Sequence, residues 1–356
     1  MSASLFSPLR IRSLTLRNRI VVSPMCQYSS VDGFANDWHL VHLGGFAVGG
    51  AALVVAEATA VSPEGRISPR DLGIWRDEHV APLSRITEFI QAQGAIPGMQ
   101  LAHAGRKASV DAPFNGGKPL DPEHGGWSPL FAPSAIPFGT GYQSPVAMST
   151  SDIARVVADF RTAAQRAFSA GFRVLELHGA HGYLLHEFLS PLSNTRDDEY
   201  GGSFENRIRF VLETIDAVRG VWPDQLPLFL RVSATDWAEG GWHLDECVEL
   251  SRIAGERGVD LVDCSTGGNV SGVKIPTGPG YQVPFSERIK RQAGVLTGAV
   301  GLITEALQAD EIIQREQADI VILARELLRD PHFPLRAARE LGVDVTWPKQ
   351  YERAKL

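Results

Sequence analysis

Short runs of β-branched and other apolar residues recur along the chain at Arg19–Ser23, Ala52–Ala58, Ala95–Leu101, Arg173–His178, Pro227–Ser233, Asp260–Ser265, Val295–Gly298 and Asp319–Ala324. Most are almost continuously apolar, the pattern of parallel strands covered on both faces. Between them, Glu78–Gln93, Thr150–Ala170, Phe204–Val221, Leu244–Arg257 and Thr304–Glu316 repeat apolar positions at helical spacing. Ser149 to Ser151 ahead of Asp152, and Thr304 ahead of Glu305, have the form of helix N-caps with an acidic first turn. Eight strands alternating with helices and divided by no linker predict an α/β fold, a single (β/α)8 TIM barrel spanning residues 1–356. The competing topology is a doubly wound sheet with a second domain. No Gly-x-Gly-x-x-Gly follows an early strand, which favours the barrel.

One segment breaks the rhythm. Residues 107–148, after the third strand, form a long loop insertion rich in Gly, Pro and aromatics. A loop of that length in a compact domain is usually a lid or a substrate wall. Trp127, Phe131, Phe138 and Tyr142 supply burial anchors that a disordered insertion would not need.

Composition narrows the classes. The 356 residues are 44% hydrophobic and 21% charged, ordinary for a globular protein, and the formal net charge of −7 argues against nucleic acid or a membrane surface as partner. Cys26, Cys247 and Cys264 are too few and too scattered for a disulfide framework or an iron–sulfur site, and they fit a reducing cytoplasm. The longest uncharged apolar stretch, Leu43–Ala56, is Gly-rich and shorter than the roughly 20 residues of a membrane span. The first residues lack the apolar core of a signal peptide, so a soluble cytoplasmic protein is expected.

In a barrel, the C-terminal ends of the strands face the active site. Those ends carry Ser23-Pro24-Met25-Cys26-Gln27-Tyr28, Glu57-Ala58-Thr59, Gln100 to Lys107, Glu176 to Tyr183, Arg231, Gly298 to Gly301 and Ala324-Arg325. His178, His181 and Tyr183 form the sharpest group. Two imidazoles can donate to one oxygen and stabilise negative charge there, and a phenol two residues on can deliver a proton. A metal site is the rival chemistry, but His-x-x-His supplies two ligands and no third follows at motif spacing. Core or capping histidines are the bland alternative.

The glycines before Leu302-Ile303-Thr304, with Ala324-Arg325 after the eighth strand, match the common barrel phosphate site of glycine amides, a helix start and an arginine. Arg231 needs a buried acceptor, either a carboxylate or an electron-rich cofactor. Gln100 and Ser23 add amide and hydroxyl bonds suited to a flat heterocycle. A phosphate beside a polar-edged ring suggests flavin mononucleotide, FMN. Arg106 and Lys107, near the mouth, are open to either a nucleotide 2′-phosphate or an exposed ion pair.

These residues carry a resemblance. From LFSPLRIRSLTLRNRIVVSPMCQYS through QLAHAGRK, LELHGAHGYLLHEFLSPLSNTRDDEYGGSFENR and VDLVDCSTG to ILARELLRDP and the terminal QYERA, the chain resembles the old yellow enzyme family of FMN-dependent ene-reductases. SPMCQY and QYERA point to its thermophilic-like subclass. The resemblance implies tightly bound, non-covalent FMN at the barrel mouth, NADPH or NADH as hydride donor, and reduction of activated C=C bonds in α,β-unsaturated aldehydes, ketones, imides and nitro compounds in two half-reactions at one site. It implies that Ser23, Pro24, Met25, Ala58, Gln100 and Arg231 surround the flavin ring, with Cys26 beside it, and that Gly301, Leu302, Ala324 and Arg325 hold its phosphate. The family commonly has glycine where Ala324 stands, and a methyl is tolerated there if φ stays negative. Cys26 read without the family is a small buried hydrophobe. His178 and His181 match the pair that binds the substrate's activating oxygen, Tyr183 the proton donor, and Tyr28 a second phenol near that oxygen. A dihydroorotate- or dihydrouridine-type reductase and a non-catalytic FMN-binding barrel are the alternatives.

The last barrel helix is expected to end near Leu341-Gly342, with Pro348 barring its continuation. By composition the tail 347–356 is either solvated or docked. The resemblance implies that Arg353 reaches a neighbouring subunit's substrate pocket, and hence a homodimer or homotetramer.

Overall fold

A computed structural model describes residues 4–355. Its eight parallel strands are β1 (Ile20–Val22), β2 (Leu53–Ala60), β3 (Ile96–Ala102), β4 (Val174–Gly179), β5 (Leu228–Ser233), β6 (Leu261–Ser265), β7 (Leu296–Ala299) and β8 (Ile320–Leu323). Each pairs with the next in chain order, and β8 closes on β1 to complete a barrel. Every predicted strand is present, within two residues of its expected limits. The helices outside are α1 (Asp37–Val48), α2 (Val80–Ala92), α3 (Thr150–Ser169), α4 (Phe204–Arg219), α5 (Leu244–Glu256), α6 (Val283–Ala293), α7 (Ala306–Gln314) and α8 (Phe333–Glu340).

Local chemistry sets the helix starts. Ser149 Oγ accepts from the Asp152 N–H and Asp152 Oδ2 accepts from the Ser149 N–H, a reciprocal capping box at the head of α3. Thr304 does not cap α7 as its sequence suggests. The helix begins later, with Glu305 at the N-cap and no side-chain cap. Gln308 reaches back to accept from the Thr304 N–H at 3.1 Å, which satisfies that turn from inside the helix. Helix α1 was hidden in the pattern because Trp38 and Val41 are exposed, which blurs the stripe made by buried Leu43 and Phe46. Helix α8 ends at Glu340 and Gly342 follows with φ +68°, as the C-cap glycine requires.

Alternation along each strand divides its residues between two cores. Val22, Val54, Leu175, Leu177, Val262 and Val321 point outward and pack with the helices. Val21, Leu53, Val55, Val174, Phe229, Leu261, Ile320 and Ile322 fill the lower barrel interior. An antiparallel pair, Leu9–Ile11 with Leu14–Leu16, closes the barrel's lower end by adding Ile11 and Leu16 to that plug.

The 107–148 insertion is ordered by its own short pairing. Phe131–Ala132 and Val146–Ala147 run parallel, so the intervening residues 133–145 leave and return at one place. Trp127 and Tyr142 pack with Cys26 and Tyr183 on a small cluster of Ile67, Ala104, Ala108, Val110 and Leu130. Aromatic anchors of the insertion therefore border the barrel mouth.

Candidate active site

One pleat above the apolar plug, the inward positions turn polar. Stepping by two along the strands, Val174 is followed by Glu176 and His178, Phe229 by Arg231 and Ser233, and Leu261 by Asp263 and Ser265. Arg231 lies in register with His178 on one side and Asp263 on the other. Its Nη1 donates to Ser23 Oγ at 3.2 Å, and its Nε is 3.0 Å from Asp263 Oδ2. That second contact is an ion pair with poor hydrogen-bond alignment, since Nε and both Asp263 oxygens lack a well-aligned partner. Gln100 Nε2 donates to Glu176 Oε1 at 2.8 Å. Burial raises the Glu176 carboxyl to about 8, with nearby Asp263 adding to the shift. The arginine thus has a carboxylate partner, as its burial demands, and still presents Nη1 toward the mouth beside Ser23.

The loop after β4 gathers the predicted catalytic trio. The His178 and His181 rings lie edge to face with centroids 5.1 Å apart, and the Tyr183 ring is 5.0 Å from His178. His178 is buried, and its Nδ1 has no hydrogen-bond partner. His181 Nε2 is 2.7 Å from Ser265 Oγ, so Nδ1 is its remaining nitrogen. Burial, then the positive charge of Arg231, holds both imidazoles well below their ordinary pKa, so both rings are neutral near pH 7. Burial also lifts the Tyr183 phenol well above its usual range, so it keeps its proton. Burial raises the Cys26 thiol and the Tyr28 phenol alike. Met25 packs against the main core, Pro24 is half-buried, and Ala58 is buried at the upper end of β2.

Arg106 and Lys107 serve neither of the roles open to them in sequence. Lys107 Nζ donates to the carbonyls of His181 (2.8 Å) and Gly268 (3.0 Å), under the rings of Phe138 and Tyr183. Arg106 Nη2 donates to the carbonyl of Asn269 at 2.7 Å. Together they fasten the loops after β4 and β6 to the end of β3.

At the opposite side of the mouth, residues 300–304 and 322–325, with Glu326 and Arg329, line a cavity of about 110 Å³. Gly301 has φ +120°, and a Cβ there would meet Gln282 Nε2 at 2.8 Å. The backbone N–H groups of Gly301 and Leu302 donate to no acceptor among the described residues. Ala324 has φ −113°, the negative value its methyl needs, and Arg325 is exposed with no ion pair among the described residues. Free amides, an unpaired guanidinium and a glycine cradle fit a phosphate, while Arg231, Gln100 and Ser23 fit the edge of a flavin ring. Among the described residues no three His, Cys, Asp or Glu side chains form a metal-binding group. No helix there is long and apolar enough to cross a membrane.

Arg353 stands apart. It is exposed on a terminal 3₁₀ turn, Lys349–Ala354. The preceding residues 346–350 line a cavity with Arg17 and the C-terminal ends of α1 and α2, at the end of the barrel away from the mouth.

The model of the NADH:flavin oxidoreductase / NADH oxidase family matches residues 4–343. The chain is 48% identical to an NADPH dehydrogenase of Bacillus velezensis, across 99% of this chain and 100% of that protein. It is 50% identical to an NADPH dehydrogenase of Geobacillus sp. (strain WCH70), across 99% of each. Among solved structures, morphinone reductase superposes with a TM-score of 0.80 at 28% identity, over 98% of this chain and 92% of that one. The chain therefore belongs to the NADH:flavin oxidoreductase / NADH oxidase family, the old yellow enzymes, and is an FMN-dependent oxidoreductase that uses NAD(P)H.

Proposed function

We propose that this oxidoreductase is an ene-reductase acting on alkenes activated by a carbonyl, imide or nitro group. The observation that carries the reading is the neutral His178–His181 pair set beside a protonated Tyr183. When bound, FMN supplies hydride that it has taken from NAD(P)H. His178 and His181 hold the activating oxygen of the alkene by N–H donation without adding a formal charge. As hydride arrives at the β-carbon, charge grows on that oxygen and the pair stabilises it. Tyr183 keeps its phenolic proton until the α-carbon becomes basic enough to take it. Tyr28 stands at the same mouth as a second phenol. Ser23, Gln100 and Arg231 hold the polar edge of the flavin, and Gly301, Leu302, Ala324 and Arg325 its phosphate.

Anaerobic stopped-flow spectroscopy tests the division of labour. NADPH bleaches the flavin in wild type and in Tyr183→Phe alike. Reoxidation by cyclohexenone slows in the variant by about 10²–10⁴-fold, the usual worth of a positioned acid. Equal reoxidation rates would remove Tyr183 from the mechanism.

The same reading gives Arg353 to a neighbouring subunit, in a homodimer or homotetramer. Its support is the path of the tail along the end of the barrel away from its own mouth. Removing residues 349–356 then leaves FMN bound and raises KM for enones; unchanged KM and unchanged size by light scattering would refute the shared site.

A further inference from the structure

The turn that carries His181 and Tyr183 is held by a buried pair that touches neither substrate nor flavin in the reading above. His186 is wholly buried in the short helix Leu184–Leu189, and Asp236 is wholly buried after β5. The Gly182 N–H donates to His186 Nδ1 at 2.9 Å. An imidazole nitrogen that accepts carries no proton, so the proton of neutral His186 sits on Nε2. Nε2 lies 3.0 Å from Asp236 Oδ1. The contact is bent from ideal alignment, yet neither atom has another polar partner, so each answers the other. The Asp236 carboxylate meets Nε2 through Oδ1 alone. Its second oxygen is fixed independently, accepting from Ser190 Oγ at 2.5 Å and from the Trp242 N–H at 3.0 Å.

Gly182 stands where no side chain fits. Its φ is +70°, and a Cβ would sit 2.3 Å from the Gly268 carbonyl oxygen. Ser233 and Lys107 hold His181 from the other side, so the bond to His186 is what fixes the Gly182 N–H at this tight point before Tyr183. From this geometry we propose that His186 is a positioning residue whose tautomer, set by Asp236, holds the Gly182 turn and so aims Tyr183 and His181. This inference rests on the proton-donor role given to Tyr183 above.

The pair makes an unusual demand on an isosteric change. In Asp236→Asn, the two donors Ser190 and Trp242 require the amide oxygen, which turns the amide NH₂ toward His186. Nε2 must then accept, the ring proton moves to Nδ1, and donor faces donor at Gly182. His186→Asn keeps an acceptor at the Nδ1 position but falls short of Asp236. His186→Gln reaches Asp236 but has no acceptor at the Nδ1 position.

The test uses the FMN-loaded protein with ¹⁵N-labelled histidine. The wild-type His186 signals, assigned by their loss in His186→Asn, report the Nε2–H tautomer, and Asp236→Asn converts them to Nδ1–H. Flavin reoxidation by cyclohexenone slows in Asp236→Asn and in His186→Gln by roughly 10–100-fold, the scale of a misplaced reacting group, and much less in His186→Asn. A wild-type Nε2–H tautomer that persists in Asp236→Asn overturns the proposal. So do equal losses in His186→Asn and His186→Gln, which would mark a merely structural role, and these variants decide the matter if Asp236→Asn does not fold. Failure of Tyr183→Phe to slow reoxidation would instead overturn the proton-donor reading, and the tautomer measurement does not depend on it.

Discussion

The lower and upper parts of the barrel interior come from the same strands on the same alternation, yet they hold opposite chemistry. Below, Val21, Leu53, Val174, Phe229, Leu261 and Ile320 interlock as an apolar plug. One pleat above, Arg231 and Asp263 bring buried charge beside a protonated Glu176, and these groups add no stability that well-packed hydrophobes would not. The difference separates what makes the barrel stand from what makes it bind. A layer kept at a cost in stability is where function is sought.

Substitutions in the two layers test that separation. Arg231→Leu has the largest expected effect. It strands Asp263 as an unpaired buried charge and lowers stability by about 3–5 kcal/mol in urea unfolding, with FMN lost. Adding Asp263→Leu recovers most of that stability but not FMN. A single variant as stable as wild type would mean the upper layer carries no such cost. Leu261→Ala, in the plug, costs about 2–5 kcal/mol, yet the folded protein still binds FMN one-to-one by absorbance. Loss of flavin in proportion to stability would erase the distinction between layers.

A third effect is in pH dependence. The Glu176 carboxyl titrates near 8 in the fold instead of 4.5, so between those values the folded state holds a proton that the unfolded chain has released. Stability from this group is complete below about pH 4.5 and is lost as pH rises toward 8. Glu176→Gln removes up to one proton from that slope, about 1.4 kcal/mol per pH unit. An unchanged slope between pH 5 and 8 would show that the proton resides elsewhere in the layer.

The strands, the alternation with helices and the His178–His181–Tyr183 group were legible because each is a local pattern. The brace was not. His186 reads as one more polar residue in LLHEFL, and Asp236 lies fifty positions on, so only the fold puts Nε2 beside Oδ1. Asp263 had a faint signal, a carboxylate inside an apolar strand, two positions after Leu261 as Arg231 is two after Phe229. Reading the strands as uniformly apolar hid that shared step. Lys107 and Arg106 were visible as cations, but their acceptors are backbone carbonyls, which no side-chain pattern announces. Helix α7 starts later than its threonine suggested: Thr304 caps nothing with its hydroxyl, and its own N–H is instead satisfied by Gln308 from inside the helix.

The short parallel pairing of Phe131–Ala132 with Val146–Ala147 has a consequence for diversification. The stretch between those rungs behaves as a cassette pinned to the barrel mouth at Ser134, Ile136, Phe138 and Tyr142, so its length can change at the exposed positions between those pins. Doubling such a loop adds only about 0.6 kcal/mol of closure entropy. Variants with longer or shorter cassettes can therefore sample different pocket walls over an unchanged catalytic floor, so new substrate ranges are open to this scaffold by insertion and deletion as well as by point substitution.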